Sequence, residues 1–419
     1  MHQDAIELFS ALADRSPSER EEYYAKHQVT AAVRDEVESL LRFDTTSAQT
    51  IRRYVASAAN EMLAESGDGE NSLRFGPFRP IKLLGRGGMG QVFLAVQETE
   101  EFQRQVALKL IDRPILGEQD VRRFRDEVRI LASLEHPGIA RFLDAGRAPD
   151  GTWFLALEYV DGEDLFEHVR RVDSPIEERI RLFLSILEAV AYAHAHLVVH
   201  RDLKPSNIMV GPDGRPRLLD FGIAKLLDPE SGESSTLTRT ELRVFTPAYA
   251  SPEQFCGEKE TAATDVHALG VLLYELLAGV HPFGAPSRSR TALESSVLTE
   301  DPAPPSAARR DAESQRADSG GEPERRLPLG SGRIDADLDA ICLKALRKEP
   351  RARYPDAAAF AEDLGRFLTG LPVDARQGGR RYRFGRFLHR NRGRLATISA
   401  AGVDLAAVVF ALLVNWRVL

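Results

Sequence analysis

The sequence predicts an α+β chain built as a strand-rich half followed by a helical half. A helical region precedes them, and one long apolar helix closes the chain. Three observations carry that expectation. Phe78–Leu84, Val92–Val96, Gln105–Ile111 and Phe154–Tyr159 are short β-branched or alternating runs bounded by turn residues. Val121–Leu134, Ile180–His196 and Ala263–Ala278 have helical period and length. Leu395–Val414 is almost wholly apolar, and 20 residues at ~1.5 Å each cover ~30 Å, the thickness of a bilayer's hydrocarbon.

Taken in order, residues 1–72 are acidic and helical in pattern. Ser16-Pro17-Ser18-Glu19 is a capping box with Pro at the first helical position, and the helix it starts is expected to run through Tyr23 and Tyr24. Ile6, Leu8, Phe9 and Leu12 before it, and Val33, Val37, Leu40 and Leu41 after it, could close a small bundle. Gly67-Asp68-Gly69-Glu70-Asn71 is a polar break. The central unit occupies residues 76–371. Within it, residues 302–332 are rich in Pro, Ser, Ala, Arg and Glu and are expected to form a mobile loop without core. Residues 372–394 form an arginine-rich segment ahead of the apolar stretch at 395–414.

Composition narrows the function classes. The 419 residues are 43% apolar and 28% charged, which excludes a disordered or fibrous chain. Two cysteines, Cys256 and Cys342, cannot make a disulfide framework and are expected as packed thiols. The net charge of −8 conceals eight arginines and no acid in residues 375–394, so the remainder carries −16 (−8 minus 8). That asymmetry argues against nucleic-acid binding and for a local anionic partner. The positive-inside rule applied to the arginine block places residues 1–394 in the cytoplasm and the apolar stretch across the cell membrane, as a single pass. Asp404 opposes a span, at ~2.5–3.5 kcal/mol for an acid at mid-bilayer, and a buried C-terminal helix is the competing reading.

The chemistry-bearing residues come in an ordered series. Leu84-Gly85-Arg86-Gly87-Gly88-Met89-Gly90-Gln91-Val92 is G-x-G-x-x-G-x-V between two strands, where glycines let backbone amides approach phosphate oxygens. A dinucleotide fold places the same triplet between strand and helix, so the following strand tilts the reading away from NAD. Lys109, 19 residues after Gly90, sits among Val106, Ala107 and Leu108. A partly buried ammonium there needs an anion, which Glu127 on the next helix or a phosphate could supply. In His200-Arg201-Asp202-Leu203-Lys204-Pro205-Ser206-Asn207, Asp202 can accept a hydrogen bond from an attacking hydroxyl and Lys204 can offset phosphoryl charge. Asn207 and Asp220, the latter opening Asp220-Phe221-Gly222, offer oxygen ligands to a hard cation such as magnesium.

This series resembles the eukaryotic-like bacterial serine/threonine protein kinases, with every motif in family order over about 290 residues from Phe78 to Leu368. The resemblance implies a bilobal fold, β-rich then helical, that uses ATP and Mg2+ on protein Ser/Thr hydroxyls. It implies that Leu84 to Val92 and Ala107 cover the nucleotide, that Lys109 holds its α/β-phosphates, and that Glu127 pairs with Lys109. Leu157 then guards the back of the adenine pocket and Glu158-Tyr159-Val160 forms the hinge. Asp202 resembles the catalytic base, and Asn207 and Asp220 the magnesium ligands. Ser251-Pro252-Glu253 stands for Ala-Pro-Glu, Glu253 is expected to pair with Arg353, and Asp265–Gly270 resembles the buried helix that steadies the catalytic loop. His200 is expected to support that loop without acid–base work.

Thr236, Thr238 and Thr240, between Gly222 and Ser251, are candidate autophosphorylation sites, with Arg201 as phosphate partner. Phe245 stands where the family has glycine, a departure that bears on peptide docking. The alternatives are a pseudokinase scaffold, a small-molecule phosphotransferase, and a membrane adaptor working through residues 1–72 and the arginine block. Self-association is a further expected route for signals.

Overall fold

The computed structural model describes residues 74–87, 90–111, 118–148, 151–221, 246–284, 289–318 and 327–376, with Tyr23, Tyr24, His27, Val29, Arg34, Gly379, Tyr382 and Arg386 described singly. The chain divides into two units, Met1–Arg74 and Phe75–Leu419. In the first, Tyr23, Tyr24 and Arg34 are helical and Tyr24 is buried. The expected bundle otherwise lies outside the described residues. So do Thr236, Thr238, Thr240, Phe245 and the stretch 395–414. Among the described residues no helix is long and apolar enough to cross a membrane.

The second unit opens with a five-stranded antiparallel sheet. Its strands are β1 (Phe78–Gly87), β2 (Gly90–Glu98), β3 (Gln103–Ile111), β4 (Phe142–Arg147) and β5 (Trp153–Glu158), ordered β1-β2-β3-β5-β4. The alternation of β3 decides which face is which. Val106 and Leu108 are fully buried and oppose Ala95 of β2 and Ala156 of β5, making one apolar face with Phe75, Phe78 and Phe154. Ala107 and Lys109 therefore lie on the other face, opposite Leu157 and Leu155. There, Ile111 and Leu155 pack on Phe124 of helix α1 (Glu118–Ala132). β4 has no alternating pattern and escapes the sequence reading. It is held by β5, and a Cβ on Gly146 would come within 2.6 Å of the Phe154 ring, so only glycine lets that strand approach.

The helical half is built around α5 (Ala262–Ala278), in which every residue from Ala263 to Ala278 is buried. A helix apolar on all sides belongs at the centre of a lobe. Around it stand α2 (Leu165–Val172), α3 (Ile176–Ala195), α4 (Pro252–Cys256), α6 (Arg290–Thr299), α7 (Pro305–Asp318), α8 (Ala336–Ala345) and α9 (Ala357–Leu368). A small sheet of β6 (Glu163–Asp164), β7 (Ile208–Val210) and β8 (Pro216–Leu218) frames the segment between α3 and the Asp-Phe-Gly run.

Two expectations are corrected. The interval 302–332 is not a coreless loop throughout: Pro305–Asp318 is helix, and Ala312 and Leu327 are buried. Ala, Arg and Glu are strong helix formers, and this polar helix seats on the core through Pro305, Ala308 and Ala312. The returning chain at Pro328 is fastened by Arg179, whose side chain has no exposure. Arg179 donates to the carbonyls of Ser174 (2.9 Å), Leu276 (3.0 Å) and Pro328 (2.8 Å). Burial lowers its pKa to about 10, against the opposing charge of Asp173. The second correction concerns the thiols: Cys342 is buried as expected, but Cys256 is exposed at the end of α4.

Candidate active site

The glycine-rich turn joins β1 to β2 with Gly85 opposite Val92, Arg86 opposite Gln91 and Gly87 opposite Gly90. Gly90 has φ +132°, a region that disfavours side chains. An added Cβ on Gly85 would meet nothing within 4 Å. The chain's own packing thus gives no reason for glycine there, and the open space fits a ligand lying against the backbone. Leu84 is exposed, and Gly88 and Met89 lie outside the described residues. Val92, Ala107, Lys109 and Leu157 share one sheet face through the β2–β3–β5 register. Glu158 closes β5, and Val160 is buried just beyond it.

Lys109 is 9% exposed, and its ammonium meets Asp220 at 3.0 Å. This is where the structure departs from the expected Lys109–Glu127 pair. Glu127 is half-buried on α1, and its carboxyl is pushed up to about 7, chiefly by burial, with Arg201 pulling the other way and Asp126 adding repulsion. With the ammonium committed to Asp220, burial of the Glu127 carboxylate is poorly offset.

The loop at 200–207 is bolted to α5 by one carboxylate. Asp265, 1% exposed, accepts the N–H of His200 (2.8 Å) and of Arg201 (2.8 Å), and lies 2.9 Å from Nε2 of His194. The Nδ1 atom of His194 accepts the N–H of Ala357, so its proton sits on Nε2 and points at Asp265. Burial opposes the Asp265 charge, but His194 and the loop donors bring its pKa below the ordinary carboxylate value. With its backbone held there, Arg201 takes φ +68°, and Asp220 takes φ +53°. Left-handed backbone at non-glycine residues gathers where the surroundings over-determine it. His200 is fully buried, with Nε2 at the carbonyl of Leu219 (2.8 Å) and its ring 4.7 Å from Phe221. Burial keeps its pKa low and the ring neutral, in keeping with a supporting role.

Asp202 stands in the middle. One oxygen meets Lys204 at 2.8 Å, and the other accepts from the hydroxyl (3.0 Å) and N–H (3.3 Å) of Thr246. Lys204 also donates to the Thr246 hydroxyl at 3.1 Å. Burial would raise the Asp202 pKa, but the Lys204 charge and hydrogen bond more than offset it and hold the group ionised. Asn207 turns its amide nitrogen to the carbonyl (2.8 Å) and carboxylate (3.3 Å) of Asp202, which aims its oxygen away from that pair. An amide oxygen and the Asp220 carboxylate are donors of the kind magnesium takes, so the residues fit that ion. Among the described residues no three His, Cys, Asp or Glu side chains gather as a metal cage, and phosphate oxygens would have to complete the shell.

Beneath this floor Arg353 grips Glu253 with two 2.8 Å bonds, both residues buried, and Thr264 adds a third donor to Glu253 at 2.9 Å. Residues 78–359, more than half of the chain, match the family described as Protein kinase domain. The chain belongs to the protein kinase family. It is 37% identical over 294 residues to the serine/threonine-protein kinase pkn3 of Myxococcus xanthus, covering 68% of this chain and 49% of that one. It is 36% identical over 300 residues to the serine/threonine-protein kinase PknB of Mycolicibacterium smegmatis, covering 70% and 43%. The chain thus spans about half the length, or less, of these curated relatives. The crystal structure of the M. tuberculosis PknI kinase domain superposes with a TM-score of 0.50 at 25% identity, covering 72% of this chain and 99% of that one.

The kinase geometry includes three residues that the sequence reading assigned no place in the site. His194 orients Asp265, Thr246 touches both Asp202 and Lys204, and Gln254 donates to the carbonyl of Arg201 at 3.0 Å. Thr246 was within view as the residue after Phe245. His194 and Gln254 act through partners 71 and 53 residues away, and no local pattern marks them.

Proposed function

We propose that this chain transfers the γ-phosphoryl group of MgATP to Ser or Thr hydroxyls of proteins. The observation that carries the reading is the setting of Asp202, ionised and fixed between Lys204 and Thr246 on a loop bolted to Asp265. Asp202 is the acceptor for the substrate hydroxyl proton as the new O–P bond forms and the bond to the ADP oxygen breaks. Lys204 offsets charge on the moving phosphoryl group, and Lys109 holds the α/β-phosphates. Leu84 to Val92 and Ala107 line the nucleotide, with Leu157, Glu158 and Val160 at its adenine end. Asn207 and Asp220 would hold magnesium, which when bound neutralises phosphate charge. Asp220 would then release Lys109, leaving its ammonium for the phosphates and for Glu127. Glu253 and Arg353 support the floor.

Purified chain incubated with radiolabelled ATP and magnesium is expected to label itself and a generic protein substrate. Asp202→Asn and Lys109→Met are expected to fall by about two orders of magnitude or more. Wild-type turnover in either variant would remove the assignment, and a wild-type chain that binds ATP without turnover would make it a scaffold.

The same reading extends to regulation and place. Thr236, Thr238 and Thr240 are candidate self-modified residues that Arg201 could engage. Residues 395–414 form a single membrane span, with the catalytic domain on the cytoplasmic side at the arginine block, supported by stretch length and charge asymmetry. Self-association at the membrane would bring one copy's threonines to another's Asp202.

A further inference from the structure

Beyond α9 the chain stays on the helical half. Val373 is buried, and the N–H groups of Asp374 and Ala375 donate to the two oxygens of Asp363 (2.5 and 2.8 Å). Asp363 also accepts the Tyr354 hydroxyl at 2.7 Å. Further on lies Asp337, in the first turn of α8 and without exposure. It accepts from Arg376 (2.9 Å), from the Tyr382 hydroxyl (2.7 Å) and from Arg386. Arg386 reaches Asp335 as well, at 3.0 Å. Tyr382 in turn accepts the N–H of Val373 at 3.1 Å, and the Arg376 guanidinium lies 4.8 Å over its ring.

We infer that Arg376, Tyr382 and Arg386 strap the arginine-rich segment to the catalytic domain through Asp337, and that Arg376 and Arg386 are withheld from lipid. Asp335 already caps α8, accepting the N–H groups of Asp337 and Leu338, so Asp337 is not needed as a cap. A carboxylate without exposure requires cations or donors, and among the described residues its three side-chain partners come from residues 376–386. Burial opposes its charge, while Tyr382, Arg376 and Arg386 hold its pKa below the ordinary value.

The competing partner for these arginines is an anionic bilayer, a comparison that rests on the membrane reading above. Undocking would break three side-chain hydrogen bonds to the Asp337 charge, two of them from arginines, which costs more than two surface arginines regain beside charged lipid. The docked strap therefore persists at the membrane. Eight residues of sequence separate Arg386 from the apolar stretch, a length that spans at most about 29 Å at full extension.

Limited trypsin digestion of the full chain in detergent, with cleavage sites read by mass spectrometry, tests the strap without a bilayer. Cleavage after Arg376 is expected to be slower by about tenfold or more in the wild type than in Asp337→Asn or Arg386→Gln, and phosphatidylserine vesicles should leave the wild-type rate unchanged. Arg386→Gln alters a side chain at the edge of the domain and keeps the comparison available if Asp337→Asn does not fold. Equal rates in all three chains, or vesicles that bring the wild type to the rate of Arg386→Gln, would overturn the proposal. So would hydrogen exchange at Asp374 and Ala375 of the wild type as fast as in an unfolded peptide. Failure of the membrane reading would appear separately, as a full chain that stays in solution without detergent while the trypsin contrast persists.

Discussion

Lys109 illustrates what a residue's neighbours decide and its motif does not. The motif supplies the cation; the fold here gives it to Asp220 and leaves Glu127 with a pKa of about 7 against an ordinary 4.5. The folded chain thus keeps a proton at Glu127 that the unfolded chain releases between those values. The stabilisation from that proton is complete below pH 4.5 and is lost as pH rises through 7. Glu127→Gln should remove this slope, and at pH 8 it is expected to be more stable than the wild type by about 1–2 kcal/mol, a figure reduced for partial solvent screening. Urea unfolding at pH 5 and pH 8 reads the difference, and a gain of the same size at both would contradict it. Leu197 offers a simpler case: it is 93% exposed and held at φ +62°. Leu197→Gly forfeits no packing and relieves left-handed strain, so it should stabilise by about 1 kcal/mol. A lower melting temperature would refute this. The residues legible in the sequence were those whose chemistry lies within a short run, such as Asp202, Asn207 and Asp220. Those missed, His194 and Gln254, act by orienting backbone far along the chain.

At the scale of elements, α5 sets the site. Its Asp265 holds the loop at 200–207, and its neighbour Thr264 helps fix Glu253, which closes on Arg353 a hundred residues away. Removing one member of a buried ion pair strands the other. Glu253→Ala is therefore expected to cost about 3–5 kcal/mol in urea unfolding, while Glu253→Ala combined with Arg353→Met should recover part of it. A double variant no better than the single would show that the pair is not the source of the loss. Strands β1, β2, β3 and β5 and helices α1, α3 and α5 were readable from period and turn chemistry, with ends displaced by a few residues. β4 was not, because Phe142–Arg147 owes its strand form to β5 and to the absent Cβ of Gly146. α7 was hidden by composition: residues that cannot make a core alone can still lie on one made by others.

For the molecule as a whole, the two halves meet where Lys109 of the sheet reaches Asp220 of the helical lobe. The bilobal plan was legible through the resemblance that the motifs carry, with the strand-like runs gathered before Val160 and the longer helical runs mostly after it. The place of the arginine block was not, since its docking depends on a carboxylate, Asp337, that no local pattern sets apart. The proposed membrane span is tested on the full chain. Ultracentrifugation after detergent-free lysis is expected to leave the chain in the pellet, and deletion of residues 395–419 should release it. Recovery of the intact chain in the supernatant would dismiss the span.

Arg179 carries a consequence for synthesis. The last of its three carbonyl acceptors, Pro328, arrives 149 residues later in the chain. At about 5–20 residues per second, a ribosome takes roughly 7–30 s to make that stretch. Throughout that interval a guanidinium beside Asp173, given the carbonyl of Ser174 and later that of Leu276, still lacks one of its buried acceptors, so the nascent polypeptide completes this cluster only after Pro328 has been made.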